Sequence, residues 1–135
     1  MVSMTGKYLG SLRTQDIHIK SSNKILTDAP IDNKGKGEAF SPTDLVCAAL
    51  SSCMMTLMGM VAEREGIDLT GLSSEITKVM ASNPRRIGEI QIVFTHNELK
   101  ATEIQKQKLR NAALTCPVAL SLGESIKQTI EFRLG

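Results

Sequence analysis

The sequence predicts an α+β domain, and three observations carry that expectation. Short alternating segments stand near both ends and in the middle of the chain. A long uncharged helix is expected from about Pro42 to Arg64. An amphipathic helix with a Pro-initiated extension precedes the last strand. No repeat, low-complexity stretch or linker divides the 135 residues, which read as one domain, 1–135.

Residues 4–12 and 13–20 read as strands. In the second, Gln15, Ile17 and Ile19 alternate with Asp16, His18 and Lys20, the pattern of a strand with one wet face. Ser22, Asn23 and Lys24 supply a turn, and 24–27 return as a third strand. From Asp28 to Phe40 a long loop is expected, carrying Pro30, Gly35 and Gly37. It lacks GxxxxGK[ST] and is not a phosphate loop. Loops of this length in compact domains often carry function.

The central helix opens with Ser41 as N-cap, Pro42 at the first helical position and Asp44 against the positive end of the dipole. From Leu45 to Ala62 no residue is charged. Leu45, Leu50, Met54, Leu57, Met58 and Val61 surround the axis, which predicts burial on most sides. Ala48, Ala49, Ser51, Ser52 and Gly59 would let another backbone come close. A chain this small has few layers to cover such a helix, so a homodimer is expected in which two copies of the helix cover each other. The run reaches the lower edge of membrane-spanning length. Ser51, Ser52, Thr56 and two cysteines inside it, with no Trp/Tyr belt, argue against a span and against a membrane partner.

Beyond Gly66, residues 67–71 connect to a hairpin, 72–82 and 87–96, around Asn83-Pro84-Arg85-Arg86, with both arginines at a solvated tip. The helix at 102–114 should place Ile104, Leu109, Ala112 and Ala113 on one side, away from Lys106, Lys108 and Arg110. Pro117 suits the first position of a short helix through Leu122, which makes Cys116 its N-cap. A strand at 125–134 closes the chain.

Composition narrows the function classes. The hydrophobic fraction is 41%, with three Phe, one Tyr and no Trp, so the core is aliphatic and rich in Met. The 16 basic and 14 acidic residues are mixed along the chain, with no basic cluster interleaved with aromatics, and nucleic acid is not an expected partner. The N-terminus lacks the apolar run of a signal peptide, which predicts a cytoplasmic protein. Three cysteines in a reducing compartment are reactive or buried thiols rather than a disulfide framework. With no CxxC and no HExxH, neither metal nor cofactor is expected. His18 and His96 read as exposed polar residues, and the methionines as core filling.

The chemistry then rests on Cys53 and Cys116. Cys116, at a helix N-terminus, would have unpaired backbone N–H groups favouring its thiolate. Cys53, inside a helix, gains little from its own dipole. Burial alone would raise its pKa, so reactivity requires a cation from elsewhere. Both could equally be small core residues, as buried free cysteines usually are. Cys47 lies well round the helix from Cys53 and reads as packing.

The segment Ser41-Pro42-Thr43-Asp44-Leu45, then Ala48-Ala49-Leu50-Ser51-Ser52-Cys53, with Thr115-Cys116-Pro117-Val118-Ala119 downstream, resembles the OsmC/Ohr family of osmotically inducible and organic hydroperoxide resistance proteins. The order of elements agrees, so the resemblance covers almost the whole chain. It implies an OsmC-like fold: N-terminal strands, a long buried central helix, a hairpin, a second helix pair and a C-terminal strand, in an intertwined homodimer with sites at the interface. It also implies a thiol-dependent peroxidase of oxidative or osmotic stress defence. Cys53 would reduce an organic hydroperoxide, Cys116 would resolve the product as a disulfide, and a dithiol reductant would restore both.

The family's thiolate is held by an arginine from the N-terminal region, oriented by a glutamate at the position that is Thr43 here. The nearest acid is Asp44, and no Arg stands between Arg13 and Arg64. Arg13, Lys34 and Lys36 are the candidate cations, although a Lys is not a bidentate fork. Two other readings follow from the departure: a non-enzymatic dimer that binds a small hydrophobic ligand, or a redox-responsive stress protein that does not turn over.

Overall fold

Six strands form two separate three-stranded sheets in the computed structural model, which describes residues 1–135. The chain divides into two compact units, 1–46 and 47–135, and one helix runs through the boundary.

The first unit is an antiparallel meander of β1 (Met4–Gly10), β2 (Arg13–His18) and β3 (Lys24–Asp28). Ser11 and Leu12 both take left-handed backbone between β1 and β2, as a tight two-residue hairpin requires. Between β2 and β3 the register runs without a bulge from Ile17 opposite Lys24 to Arg13 opposite Asp28. The expected wet and dry alternation along β2 does not hold. Gln15, Asp16 and Ile17 are all half-buried, while Ile19 lies past the strand and is 49% exposed. The strand ends at His18, whose N–H bonds the carbonyl of Asn23 in the turn, so Ile19 and Lys20 have no further pleat to follow.

After β3 the chain makes a short 3-10 turn, Ile31–Asn33, and folds back on itself. Gly35 N–H reaches Pro30 O at 2.9 Å, Gly37 N–H reaches Ala29 O at 3.2 Å, and Asp28 N–H reaches Phe40 O at 3.1 Å. At Gly35 a Cβ would collide with the Ala29 carbonyl, so a side chain there is excluded by backbone. The loop is thereby closed at its neck, directly beside Asp28.

Helix α1 (Pro42–Glu65) starts from a capping box. Asp44 N–H donates to Ser41 Oγ at 3.0 Å, and Ser41 N–H donates to Asp44 Oδ2 at 2.9 Å. A single chain covers one side of it. Within one chain, Cys47, Leu50, Ser51, Met54, Met58, Val61 and Ala62 form a single buried stripe. Ala49, Ser52, Thr56, Met60 and Glu63 make an open stripe on the other side. By length and hydropathy α1 could cross a membrane, yet Leu50, Met54 and Met58 are covered completely by the chain itself, as in a core helix.

The second unit contains β4 (Ser73–Ala81), β5 (Arg86–His96) and β6 (Lys127–Leu134). β4 and β5 are an antiparallel hairpin; β6 is parallel to β5 and is reached through α2 (Glu103–Leu114) and α3 (Pro117–Ser121). Such a parallel return needs a crossover, and the two helices supply it. Ile90, Ile92 and Phe94 alternate along β5 and are fully buried, and Phe94 stacks on Phe132 of β6 with ring centroids 5.6 Å apart. Each such side chain contributes roughly 1.5–3 kcal/mol by burial.

Thr102 caps α2 in a second capping box with Gln105. Leu109 and Ala113 are the buried side of α2, but Ile104 is 72% exposed, contrary to expectation. At about 100° per residue Ile104 sits well off the Leu109–Ala113 line. His96 also departs from its expected exposure. It is half-buried, donates from Nε2 to Thr70 O at 3.0 Å, and has a buried Nδ1 without a partner. Arg85 and Arg86 do lie at the exposed hairpin tip, where Arg86 Nη1 donates to the carbonyls of Ser82 and Pro84.

Candidate functional site

Each unit contains one group of candidate residues. In the second unit, α1 supplies Cys53 and the start of α3 supplies Cys116. At about 100° per residue Cys53 falls at the border between the buried and open stripes of α1. This explains why its side chain is half-exposed between fully buried Met54 and exposed Ser52.

Cys116 is the N-cap of α3, with extended backbone at φ −69 and ψ 150 and Pro117 beginning the helix. Its Sγ accepts the backbone N–H of Ala119 at 3.3 Å. Gln128 of β6 donates to Ala119 O at 3.0 Å and so ties the same turn to the sheet. On the other side, Ser51 and Ser74 share a 2.8 Å hydroxyl hydrogen bond that ties α1 to β4, two residues before Cys53. The sequence alone leaves open whether Cys53 and Cys116 meet; in the fold Cys53 is near enough to raise the Cys116 thiol.

The helix N-terminus does favour the Cys116 thiolate, as expected, but it is outweighed. Burial pushes the Cys116 thiol up from its ordinary value, the Ala119 N–H pulls it down, and the contact with Cys53 adds to the rise. Burial outweighs the N–H groups of Ala119 and Val118 because Cys116 has no exposed surface and α3 is a single turn. Cys47 is buried on the closed stripe of α1, as packing predicts.

In the first unit, Arg13 and Asp28 are register partners on β2 and β3. Arg13 Nε donates to Asp28 Oδ1 at 2.7 Å and Nη2 to Oδ2 at 2.8 Å, a bidentate fork. Asp28 is completely buried, and Oδ2 also accepts the backbone N–H of Glu38 at 3.1 Å. The Glu38 carboxylate touches Arg13 Nη2 at 3.3 Å and is 65% exposed. The Arg13 fork holds the Asp28 carboxyl below the usual range, against the opposing effect of burial, with the Glu38 N–H and the charge of Lys36 helping. Asp28 in turn raises Arg13.

The other expected activators are placed differently. Lys34 and Lys36 are exposed on the loop, Lys34 with left-handed backbone at the end of the 3-10 turn. Asp44 serves the capping box of α1, and Thr43 Oγ1 lies 3.1 Å from Ser41 Oγ. Sequence reasoning does not single out Asp28. The signal that points to it is register: an uninterrupted β2–β3 hairpin sets Arg13 opposite Asp28. No group of His, Cys, Asp and Glu side chains is arranged to hold a metal.

The OsmC-like protein family model matches residues 35–131. A crystal structure described as an osmotic stress induced and detoxification response protein, from Psychrobacter arcticus 273-4, is 47% identical. It covers 98% of this chain and 96% of its own, with a TM-score of 0.94. An organic hydroperoxide resistance protein OsmC from Legionella pneumophila shares the fold at 16% identity and TM-score 0.71, covering 98% of both chains. So does an organic hydroperoxide resistance protein from Vibrio cholerae with captopril bound in one of its active sites. Its identity is 12% and its TM-score 0.72, over 98% of this chain and 92% of that one. No curated protein matches the chain.

Proposed function

Because this chain belongs to the OsmC-like family, we propose that it is a cytoplasmic thiol-dependent peroxidase that reduces organic hydroperoxides, with Cys53 as nucleophile and Cys116 as resolving thiol. The observation that supports this reading is a half-exposed Cys53 near enough to raise the thiol of a fully buried Cys116. A peroxidatic thiol has to meet substrate, and a resolving thiol has to meet only its partner; their exposures match those roles.

The reaction balances without a metal or organic cofactor. The Cys53 thiolate attacks the terminal oxygen of ROOH, the O–O bond breaks, and the alkoxide leaves and takes a proton as ROH. Cys53 becomes a sulfenic acid. Cys116, deprotonated as it attacks, displaces the sulfenic oxygen as water and forms the Cys53–Cys116 disulfide. A dithiol reductant then returns both thiols by exchange and becomes a disulfide itself. Of the candidate cations, Arg13 is a planar fork preorganised by carboxylates, whereas Lys34 and Lys36 stand in solvent.

The protein is also proposed to act as a homodimer. The open stripe of α1 carries small or uncharged side chains at Ala49, Ser52, Thr56 and Met60, and Met60 is 57% exposed. In the first unit Met4, Tyr8, Leu9, Ile25 and Leu26 are exposed as well. A second copy would cover such surfaces.

The test is turnover. Purified protein, an alkyl hydroperoxide and a dithiol should consume peroxide, and Cys53→Ser should abolish that consumption. Full activity in Cys53→Ser would overturn the reading.

A further inference from the structure

We propose that Gln128 is the positioning residue of the resolving thiol: it anchors the single-turn helix α3 while Cys116, the N-cap of that helix, changes partner. This rests on the reading of Cys53 as nucleophile and Cys116 as resolving thiol. It adds which side chain keeps Cys116 in place once its own hold on the helix is released.

The inner side of β6 carries Gln128, Ile130, Phe132 and Leu134, all half-buried, between the exposed Lys127, Thr129, Glu131 and Arg133. Gln128 is the one polar residue on that side, and its register partner on β5 is the fully buried Ile90. An amide in such a place destabilises the fold unless it is hydrogen-bonded. Its partner is the Ala119 carbonyl, at 3.0 Å. A carbonyl only accepts, so the NH2 end of Gln128 faces it.

Ala119 lies in α3, which ends at Ser121 with extended backbone at Leu122, φ −77 and ψ 139. Its carbonyl is one of the last-turn acceptors that a helix leaves to outside partners. Gln128 supplies the donor at this end, and at the other end Cys116 Sγ accepts the Ala119 N–H at 3.3 Å. A helix of five residues does not persist in water on its own. Two side chains thus clasp one residue of α3, and one of the two is the resolving thiol itself.

Oxidation acts on only one side of this clasp. As Cys116 attacks the Cys53 sulfenic acid, its S–H proton leaves and the S–S bond forms. The S–O bond of Cys53 breaks, and the oxygen departs as water. Sγ turns toward Cys53 in this step and gives up the Ala119 N–H. Gln128 takes no part in the exchange, and its bond to Ala119 O is available before and after it. It keeps α3 docked on β6, so the Cys116 sulfur approaches from an ordered turn rather than a loosened one.

The experiment follows the two oxidation steps separately in reduced full-length protein treated with one equivalent of tert-butyl hydroperoxide. Loss of the Cys53 thiol reads the first step. The Cys53–Cys116 disulfide, quantified by peptide mass spectrometry after acid quench, reads the second. The variants are Gln128→Met, which has similar length and no donor, and Gln128→Asn, which keeps the amide but withdraws it by about 1.5 Å. Gln128→Met should leave the first step unchanged and slow disulfide formation about tenfold, because the attacking sulfur loses its orientation. A dimedone-type probe should then trap more Cys53 sulfenic acid than in the wild type. A wild-type disulfide rate in folded Gln128→Met would overturn the assignment. Equal slowing of both steps would overturn it as well, since that is the result of general loosening. Should Gln128→Met not fold, Gln128→Asn decides by the same two rates. A wild type that oxidises Cys53 without forming the disulfide would remove Cys116 as resolving thiol, and this inference with it. A wild type whose Cys53 stays reduced would sink the peroxidase reading itself.

Discussion

The Cys116 sulfur accepts the Ala119 N–H at 3.3 Å, and Cys53 stands near enough to raise the same thiol. The two thiols differ in their surroundings. Cys116 is held in place by the first turn of α3 and kept protonated by burial, and Cys53 stands at the border of the covered face of α1. In the proposed cycle the disulfide would form beside α3, a single turn whose Ala119 carbonyl is tied to β6 by Gln128.

Cys116→Ser separates the two chemical steps. The first oxidation does not use the Cys116 sulfur, so one equivalent of organic hydroperoxide should still oxidise Cys53. The sulfenic acid should then persist and be trapped by a dimedone-type probe, read by peptide mass spectrometry. Turnover with a dithiol should fall on the order of tenfold, because the reductant has to meet a sulfenic acid rather than the disulfide. Full turnover with no trapped adduct would remove Cys116 from the cycle.

Burial of Cys116 should also be visible in stability at high pH. The raised thiol binds its proton more tightly in the folded state than in the unfolded chain. Its contribution is fully present below the ordinary thiol value of 9.0 and is lost as pH rises through the folded value. Urea unfolding of the reduced protein between about pH 7.5 and 10.5 should show stability falling above about pH 9. Cys116→Ala should lack that part of the slope.

The element order is legible because its signals are local. Ser41, Pro42 and Asp44 announce α1, Thr102 and Gln105 announce α2, and Cys116-Pro117 announces α3; each pattern is satisfied by its own backbone. What is not legible depends on partners distant in sequence. The apolar residues around α1 cannot reveal which side the chain covers, since Met54 and Met60 look alike until one is buried and the other is not. The effect of the α3 N-terminus on Cys116 follows from the helix alone, while the outcome is decided by burial among residues far away in the chain. Asp28 reads as a loop residue at the end of a strand because a carboxylate's partner is set by hairpin register, one residue of slip away from a different face.

The Arg13–Asp28 pair predicts an acid-side limb. Arg13 holds the Asp28 carboxyl below the usual carboxylate value of 3.8. The pair's contribution is present above that value and is lost as pH falls through the lower, folded value. Thermal melts between about pH 2 and 7 should show a drop in Tm setting in below about pH 4. In Asp28→Asn that component should be missing and the plateau Tm lowered, because Arg13 loses the opposing charge and one of the two acceptors of its fork.

The two stripes of α1 give opposite predictions for two nearby substitutions. Met54 is fully buried, so Met54→Ala opens a cavity and should cost about 2–5 kcal/mol in urea unfolding, whatever the state of association. Thr56 lies on the open stripe, and its hydroxyl donates only to the Ser52 carbonyl of its own helix at 2.8 Å. Thr56→Arg leaves the chain's own packing untouched. If two copies of α1 cover each other, it places a like charge from each copy in a stripe that has no room for it. Light scattering should then show the wild type as a dimer and Thr56→Arg as a folded monomer. A Thr56→Arg variant that stays dimeric would place the contact between copies elsewhere, with the exposed apolar residues of β1 and β3 next in line: Met4, Tyr8, Ile25 and Leu26 are all uncovered within one chain.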